Sequence, residues 1–275
     1  MTIVSIAREM GSLGEEVGAK VAQFLQASLL DKEFLEKRCG DFGTDLKTLE
    51  RYDEKKPGFF ASFSSDQDFY MHMLKAVLYH EAAKSSCVIL GRGGSYLLKA
   101  LPNCLRVRIT APKELRVARV AESEACSEDK AQKMVNQSDR NRAGFYQYHF
   151  NMDWQNPLMY HVVINTEHMD ADSAAFIVTS LCKRLIGPED EQKGVDMINS
   201  RIQAQRVAKA ILFDKELPIQ FLEVQCQDGK ATLFGVTSSD VLCRQAKEAA
   251  AEVEGVNEVV NRIQIIREQP FKRMW

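Results

Sequence analysis

Residues 3–25 read Ile3-Val-Ser-Ile-Ala-Arg8-Glu-Met-Gly11-Ser12-Leu13-Gly14-Glu15-Glu16-Val17-Gly-Ala-Lys-Val21-Ala-Gln-Phe24-Leu25. The start is β-branched and predicts a short strand over 2–6. Gly11 and Gly14 mark a turn, and Val17, Val21, Phe24 and Leu25 then recur at helical spacing. A strand, a glycine-bearing turn and a helix form the setting in which backbone N–H groups and a helix amino terminus cradle an anion. The standard phosphate-loop pattern, G-x-x-x-x-G-K-[ST], is absent. The chain's one Gly-Lys pair is Gly229-Lys230, followed by Ala231. By spacing alone, a plain strand-to-helix turn fits as well as a phosphate loop.

Outward from this run, strands and helices alternate. Ser28–Leu30 is a weak strand ending at Asp31, and 66–84 is helical through Phe69, Met73, Leu74, Val77 and Leu78. Cys87–Leu90 is an apolar run closed by Gly91, and Leu105–Ile109 alternates as a strand should. Pro112 opens a helical stretch to about residue 145, Val162–Ile164 is a further strand, and 170–185 is a helix. This order predicts β-α-β units and a mainly parallel sheet. Ligands bind outside the carboxyl ends of such strands. Those ends carry Arg8–Gly14, Asp31, Gly91-Arg92-Gly93 and Thr110.

The stretch Gly187-Pro-Glu-Asp-Glu-Gln-Lys-Gly194 is polar with breakers at both ends, and reads as a linker. Beyond it, a helix is expected over 196–213. Two strands around the Asp228-Gly229 hairpin turn follow, then a helix capped by Thr237-Ser238-Ser239 and stopped by Gly255, and a last strand through Val259 and Ile265. This is a small α+β module. The expected division is 1–186, a linker at 187–196, and 197–268. Two domains also agree with 275 residues.

The composition is that of a globular chain, 45% hydrophobic and 27% charged. Lys plus Arg number 36 against 38 Asp plus Glu, so the strongly basic footprint of a general nucleic-acid binder is missing and no nucleic acid is expected as a partner. The amino terminus lacks the basic region of a signal peptide, and no run approaches the ~18 apolar residues of a transmembrane segment. Seven cysteines, scattered and never C-x-x-C, read as reduced thiols of a cytoplasmic protein with no metal-binding spacing.

The motifs together resemble the cytidylate kinase-like family. These are Val4–Val17 with its Arg-Glu-Met-Gly-Ser-Leu-Gly, Asp31-Lys32-Glu33, Val88-Ile-Leu-Gly-Arg-Gly93, Arg116, Arg119, Asp139-x-x-Arg142 and Ile164-Asn-Thr166. The resemblance covers about residues 1–186. It implies a five-stranded parallel sheet of the P-loop nucleoside monophosphate kinase type, and transfer of a phosphoryl group from ATP, with Mg²⁺, to CMP or a related nucleotide substrate. Carried over by position, Gly11, Ser12, Leu13, Gly14, Glu15 and Glu16 would hold the donor phosphates. Asp31, Arg92, Gly93, Arg116 and Arg119 would bind the acceptor. Arg140 and Arg142 would act from a lid. The usual loop Lys and the Ser/Thr after it fall on Gly14 and Glu15, so Arg8, at the strand end, is the expected replacement charge.

Simpler readings stand beside these. Arg116 and Arg119 also fit a solvated helix face, Asp139 with Arg142 an i,i+3 pair, and Asp31 a helix cap. Gly91-Arg92-Gly93 also fits a plain turn with Arg92 on the surface. Phe145, Tyr146, Tyr148, Phe150 and Trp154 read as packing.

The second segment resembles a BON domain over about 197–267. The matching residues are Val224–Gly229, Ala231–Val236, Val253-Glu-Gly-Val256 and Val259-Val-Asn-Arg-Ile263. The resemblance implies a binding module for a phospholipid or a protein ligand. Phe271–Trp275 fits either an interface contact or a frayed tail. The alternative for the whole chain is a degenerate kinase scaffold whose BON domain binds such a ligand.

Overall fold

The computed structural model describes residues 1–41 and 65–266. Phe271–Trp275 lies outside the described residues, as do the side chains of Cys39 and Phe69. The chain divides into two compact units, Met1–Val195 and Asp196–Trp275.

The first unit is built on β1 (Ile3–Arg8), whose six residues are all buried. A strand covered on both faces needs a continuous apolar run rather than alternation, which is how this one reads. It pairs in parallel with β3 (Cys87–Leu90) on one side and β4 (Cys104–Thr110) on the other. The edges are β2 (Ser28–Leu30) and β5 (Val162–Asn165), giving the order β2-β3-β1-β4-β5, all parallel. The expected five-stranded parallel sheet is therefore present. The helices of this unit are α1 (Gly14–Leu25), α2 (Lys32–Asp41), α3 (Ser65–Lys84), the single turn α4 (Gly94–Leu97), α5 (Lys113–Ser123), α6 (Glu128–Phe150) and α7 (Ala171–Leu185). One face of the sheet packs its Val4, Ile6, Leu105, Val107 and Ile109 against Val17 and Val21 of α1 and Ala174 and Val178 of α7.

The chain leaves β1 toward β2 and leaves β3 in the opposite direction, across β1 to β4. The crevice outside the ends of β1 and β3 is therefore the switch point at which such sheets take ligands.

Two expectations are corrected. The helical stretch opened by Pro112 is two helices, broken where Ala125 adopts φ 46° and Ser127 caps α6 through Lys130 N–H at 3.4 Å. Of the residues expected as a linker, 187–196, those from Pro188 on form the first turns of α8 (Pro188–Lys209). Pro188 sits in the first turn, where its missing N–H costs nothing. Glu189, Asp190 and Glu191 face the positive end of the helix dipole, and Glu189 pairs with Lys193. Gly194 is not a breaker: a Cβ there would lie 2.0 Å from the Asn103 side chain.

The second unit is a three-stranded sheet with one crossover helix. β6 (Gln220–Gln227) and β7 (Lys230–Thr237) form the antiparallel hairpin, and Asp228 and Gly229 take φ 49° and 77°, as a two-residue turn of this kind requires. α9 (Asp240–Ala251), capped by Ser239 through Leu242 N–H, returns the chain so that β8 (Glu258–Ile265) runs parallel to β7. Leu233, Ala246, Ala250 and Ile263 are core residues of this unit.

No helix among the described residues is long and apolar enough to cross a membrane. The described cysteines are free. Burial pushes the Cys87 thiol up to about 12 and that of Cys182 to about 11, so neither is a thiolate near neutral pH.

Helix propensity alone favours Gly194→Ala by about 1 kcal/mol. Asn103, however, is fully buried and tied to the Met1 carbonyl at 2.7 Å and, through its own carbonyl, to Ile3 N–H at 2.9 Å. Gly194→Ala is therefore expected to destabilise by about 1–3 kcal/mol through overpacking, read as a lower midpoint in thermal unfolding.

Candidate active site

The turn after β1 is held from several sides. Gly11 and Leu13 take φ 78° and 62°, reversing the chain into α1. The buried Ser12 hydroxyl donates to the Glu9 carbonyl at 2.8 Å and the Ile109 carbonyl at 3.2 Å. Arg119 donates to the Gly11 carbonyl at 3.3 Å and the Thr166 carbonyl at 2.9 Å, and the Thr166 hydroxyl donates to the Ser12 carbonyl at 2.9 Å. A Cβ on Gly11 would lie 2.5 Å from the Arg116 carbonyl oxygen, so no other residue fits there without displacing α5. The first amide bonded within α1 is Val17 N–H, to Leu13. The amides of Gly14, Glu15 and Glu16 precede it and, as at any helix start, have no partner inside the helix.

Gly14 is the position on which the family resemblance places the phosphate-loop lysine. A Cβ there would lie 2.2 Å from the Arg8 Cβ and 2.5 Å from its Cγ. The Arg8 side chain thus runs through the space that a side chain at position 14 would need. Arg8 is 7% exposed, and its Nε donates to Glu15 Oε1 at 3.0 Å, while the Glu15 side chain is 55% exposed.

The turn after β3 is more strained. Gly91, Arg92 and Gly93 take φ 74°, 53° and 68° in succession, and the middle residue is not glycine. Arg92 is 4% exposed, so its surface reading is corrected: Gly91 N–H donates to the Ile6 carbonyl at 3.0 Å and draws the turn against the end of β1. The Phe150 ring occupies the place of a Gly93 Cβ, 2.6 Å from it, and stacks on Tyr96 at 4.4 Å. His149 lies beside Phe145 at 4.7 Å, and burial lowers its pKa to about 4.

Between the two turns and α6 lies a cleft of about 680 Å³, lined by Arg8, Met10, Lys32, Arg92, Lys133, Met134, Gln137, Ser138, Arg140, Asn141 and Arg142. Six of these side chains are cationic, and no carboxylate is among the described residues lining it. Arg140 bonds to Gln137 Oε1 at 3.0 Å and Arg142 to Ser138 Oγ at 2.9 Å.

Behind the cleft is a buried ionic network. Glu9, 6% exposed, accepts from Arg108 Nη2 at 2.8 Å and from the Thr110 hydroxyl, and lies 3.4 Å from Arg116 Nε. Arg116 then meets both oxygens of Asp139, at 3.2 and 3.0 Å.

The structure therefore brings Arg8, Arg92, Arg140 and Arg142 to one cleft and leaves Arg116 and Arg119 behind the first turn. Their solvated-face reading is corrected: Arg116 is 5% exposed and Arg119 braces the turn. The Asp139–Arg142 pair is corrected too, since Asp139 bonds across helices to Arg116. Asp31 caps α2 through Phe34 N–H at 2.9 Å. Glu16 is exposed, and Gly93 abuts Phe150. Lys32 stood in sequence as part of the Asp31-Lys32-Glu33 motif without a role of its own, and Lys133, Gln137 and Asn141 were not singled out. The spacing 133, 137, 141 on a helix was the available signal.

Two glycine-bearing strand-end turns on a parallel sheet of order 2-3-1-4-5, with a cationic crevice between them, define a P-loop kinase-like domain. The model of the cytidylate kinase-like family matches residues 3–168, and the chain belongs to that family. A BON domain matches residues 199–267. Among solved structures, an uncharacterized protein from Eubacterium ventriosum is similar at 28% identity and a TM-score of 0.56, over 66% of this chain and 98% of that one. Shikimate kinase from Acinetobacter baumannii, in complex with shikimate, is similar at 16% identity and a TM-score of 0.41, over 67% of this chain and 94% of that one. No curated protein matches the chain.

Removing the Glu9 charge leaves Arg108 and Arg116 facing each other across a buried space. Glu9→Gln is expected to cost about 3–5 kcal/mol, measured by chemical denaturation of the full chain. For His149 the folded pKa lies below the ordinary 6.5, so its contribution to stability is complete above about pH 6.5 and is lost as pH falls toward 4. Thermal midpoints are expected to fall between pH 6.5 and 5, before most carboxylates titrate, and His149→Phe is expected to flatten that slope.

Proposed function

We propose that the first domain transfers a phosphoryl group from ATP to a nucleoside monophosphate, CMP or a close relative. The cleft carries this reading, with six cationic side chains and no carboxylate among its described lining. Such a surface suits two polyanionic nucleotides brought together, and phosphoryl transfer asks little more of a protein than positioned positive charge and exclusion of water. In this reading Arg8 supplies the charge of the missing loop lysine and Arg92 holds the acceptor phosphate from its strained turn. Arg140 and Arg142 shield the reacting phosphates from α6. The turn Gly11–Glu16 holds the donor through the helix-start amides of Gly14, Glu15 and Glu16.

The described cleft lining would meet a metal-bound nucleotide through its phosphates, since it holds no carboxylate of its own. Mg²⁺ is ordinarily held by one or two carboxylates together with phosphate oxygens, and Glu15, exposed at the start of α1 and bonded to Arg8, is the carboxylate that would serve. The ion would neutralise charge on the phosphates. Arg8, kept in line by Glu15, would orient them. The reduced cysteines and the nucleotide substrate suit the cytoplasm. The BON domain would add a phospholipid- or protein-binding module, and the boundary between the two functions would lie within 187–196.

One observation favours a second reading, a nucleotide-binding scaffold without turnover. The Ser12 hydroxyl points into the protein, to Glu9 and Ile109, rather than toward a ligand.

The test is steady-state turnover of ATP–Mg²⁺ against a panel of nucleoside monophosphates by the full chain. Turnover of a pyrimidine monophosphate is expected, with Arg92→Ala lowering kcat/KM about a hundredfold by loss of a charge-assisted contact. Thermal stabilisation by nucleotide without turnover would favour the scaffold. Neither turnover nor stabilisation with any nucleotide would remove both readings.

A further inference from the structure

We infer that Arg116 is a positioning residue, clamping the cation-bearing helix α6 to the turn after β1 through Asp139. Its effect on ligands rests on the nucleotide reading above, whereas the clamp rests on the ion pair.

The guanidinium of Arg116 is committed to the protein on every side. Nη1 and Nη2 meet the two Asp139 oxygens, Nη1 also lies 3.4 Å from the Met10 carbonyl, and Nε donates to the Ala111 carbonyl at 3.2 Å beside Glu9. It is 5% exposed and is not part of the cleft lining. Its two partners are close to that lining on both sides. Met10 lines the cleft from the turn, and Asp139 lies between Ser138 and Arg140, which line it from α6.

The remaining α5–α6 contact is apolar, Val117 and Val120 against Ala131 and Val135. Apolar contacts are non-directional and tolerate sliding, whereas a bidentate guanidinium–carboxylate pair fixes distance and plane. The pair therefore sets where Lys133, Arg140 and Arg142 stand relative to Met10 and Gly11. This differs from the acceptor-binding role that the family resemblance implies for Arg116.

The experiment compares the full chain with Asp139→Asn, Asp139→Glu, Arg116→Met and the Asn/Met double variant. Hydrogen exchange and ATP affinity by calorimetry are the readouts. A clamp predicts faster exchange in both 9–14 and 133–142 on either substitution. It also predicts a loss of affinity of about tenfold in each single variant with no further loss in the double, and partial recovery in Asp139→Glu. Wild-type exchange and affinity in Asp139→Asn, with a loss confined to Arg116→Met, would overturn the clamp and make Arg116 a ligand. Additive losses would overturn it as well. If the unmodified chain binds no nucleotide, the functional reading falls, and the exchange of 133–142 alone decides the clamp.

Discussion

The carboxylate of Glu9, immediately after the last residue of the central strand, is the point on which the geometry around the cleft converges. It bonds Arg108 and Thr110 of β4 and lies against Arg116 of α5. Arg108 in turn reaches the Gln155 carbonyl at 2.7 Å and lies over the Trp154 ring at 4.9 Å, tying down the chain after α6, while Arg116 ties down α6 itself through Asp139. Two buried guanidinium groups face two carboxylates, so the cluster is balanced. Burying any of these charges alone would cost several kcal/mol, and together they leave a small set of mutually compatible positions. The cleft is therefore shaped by charges that do not line it.

This separation explains a near-neutral chain with a strongly cationic site. Acidic side chains neutralise the arginines of the wall, such as Arg108 and Arg116, pair with a cleft arginine from outside its lining, as Glu15 does with Arg8, or sit on outer surfaces, as Asp172 does with Lys20. The cleft collects Arg8, Lys32, Arg92, Lys133, Arg140 and Arg142 from four separate parts of the sequence. A concave, partly buried surface of one sign focuses potential far beyond what a net charge of −2 suggests. Screening over about 10 Å at 0.1 M salt leaves it intact at contact range.

What was legible in sequence and what was not divides along physical lines. Buried parallel strands need continuous apolar runs, so β1 and β3 stood out, whereas the apolar run 162–164 proved to be an edge strand with Val163 exposed; glycines at left-handed positions marked the turns. The face that α6 turns to the cleft was harder to read. The helix is polar around most of its circumference, so apolar periodicity says little about orientation. Asp139 has Arg142 three residues away as a local candidate, and nothing in spacing reveals that Arg116, on another helix, reaches it in a dry environment. Gly194 misled for a related reason: glycine signals a break when the backbone needs it, but here a buried side chain, Asn103, needs the room. The break before α6 rests on Ala125 in a left-handed conformation for which the residue type gives no cue.

The exchange between Arg8 and Gly14 links the sequence departure to the fold most directly. In the standard pattern the cation grows from the first turn of the helix, so it moves with the loop. Here the position is glycine and the side chain of Arg8, rooted in a fully buried central strand, runs through the space that a side chain there would need. A cation held by a strand is anchored to the core rather than to the turn, and its long stem lies packed along Gly14, with less conformational freedom than a lysine on a helix end. Glu15, which would repel a polyphosphate by itself, becomes coherent in this arrangement, because it bonds to the Arg8 Nε at 3.0 Å. Glycine at position 14 and a carboxylate at position 15 are thus two sides of one packing arrangement: the first leaves room for the Arg8 stem and the second bonds its Nε.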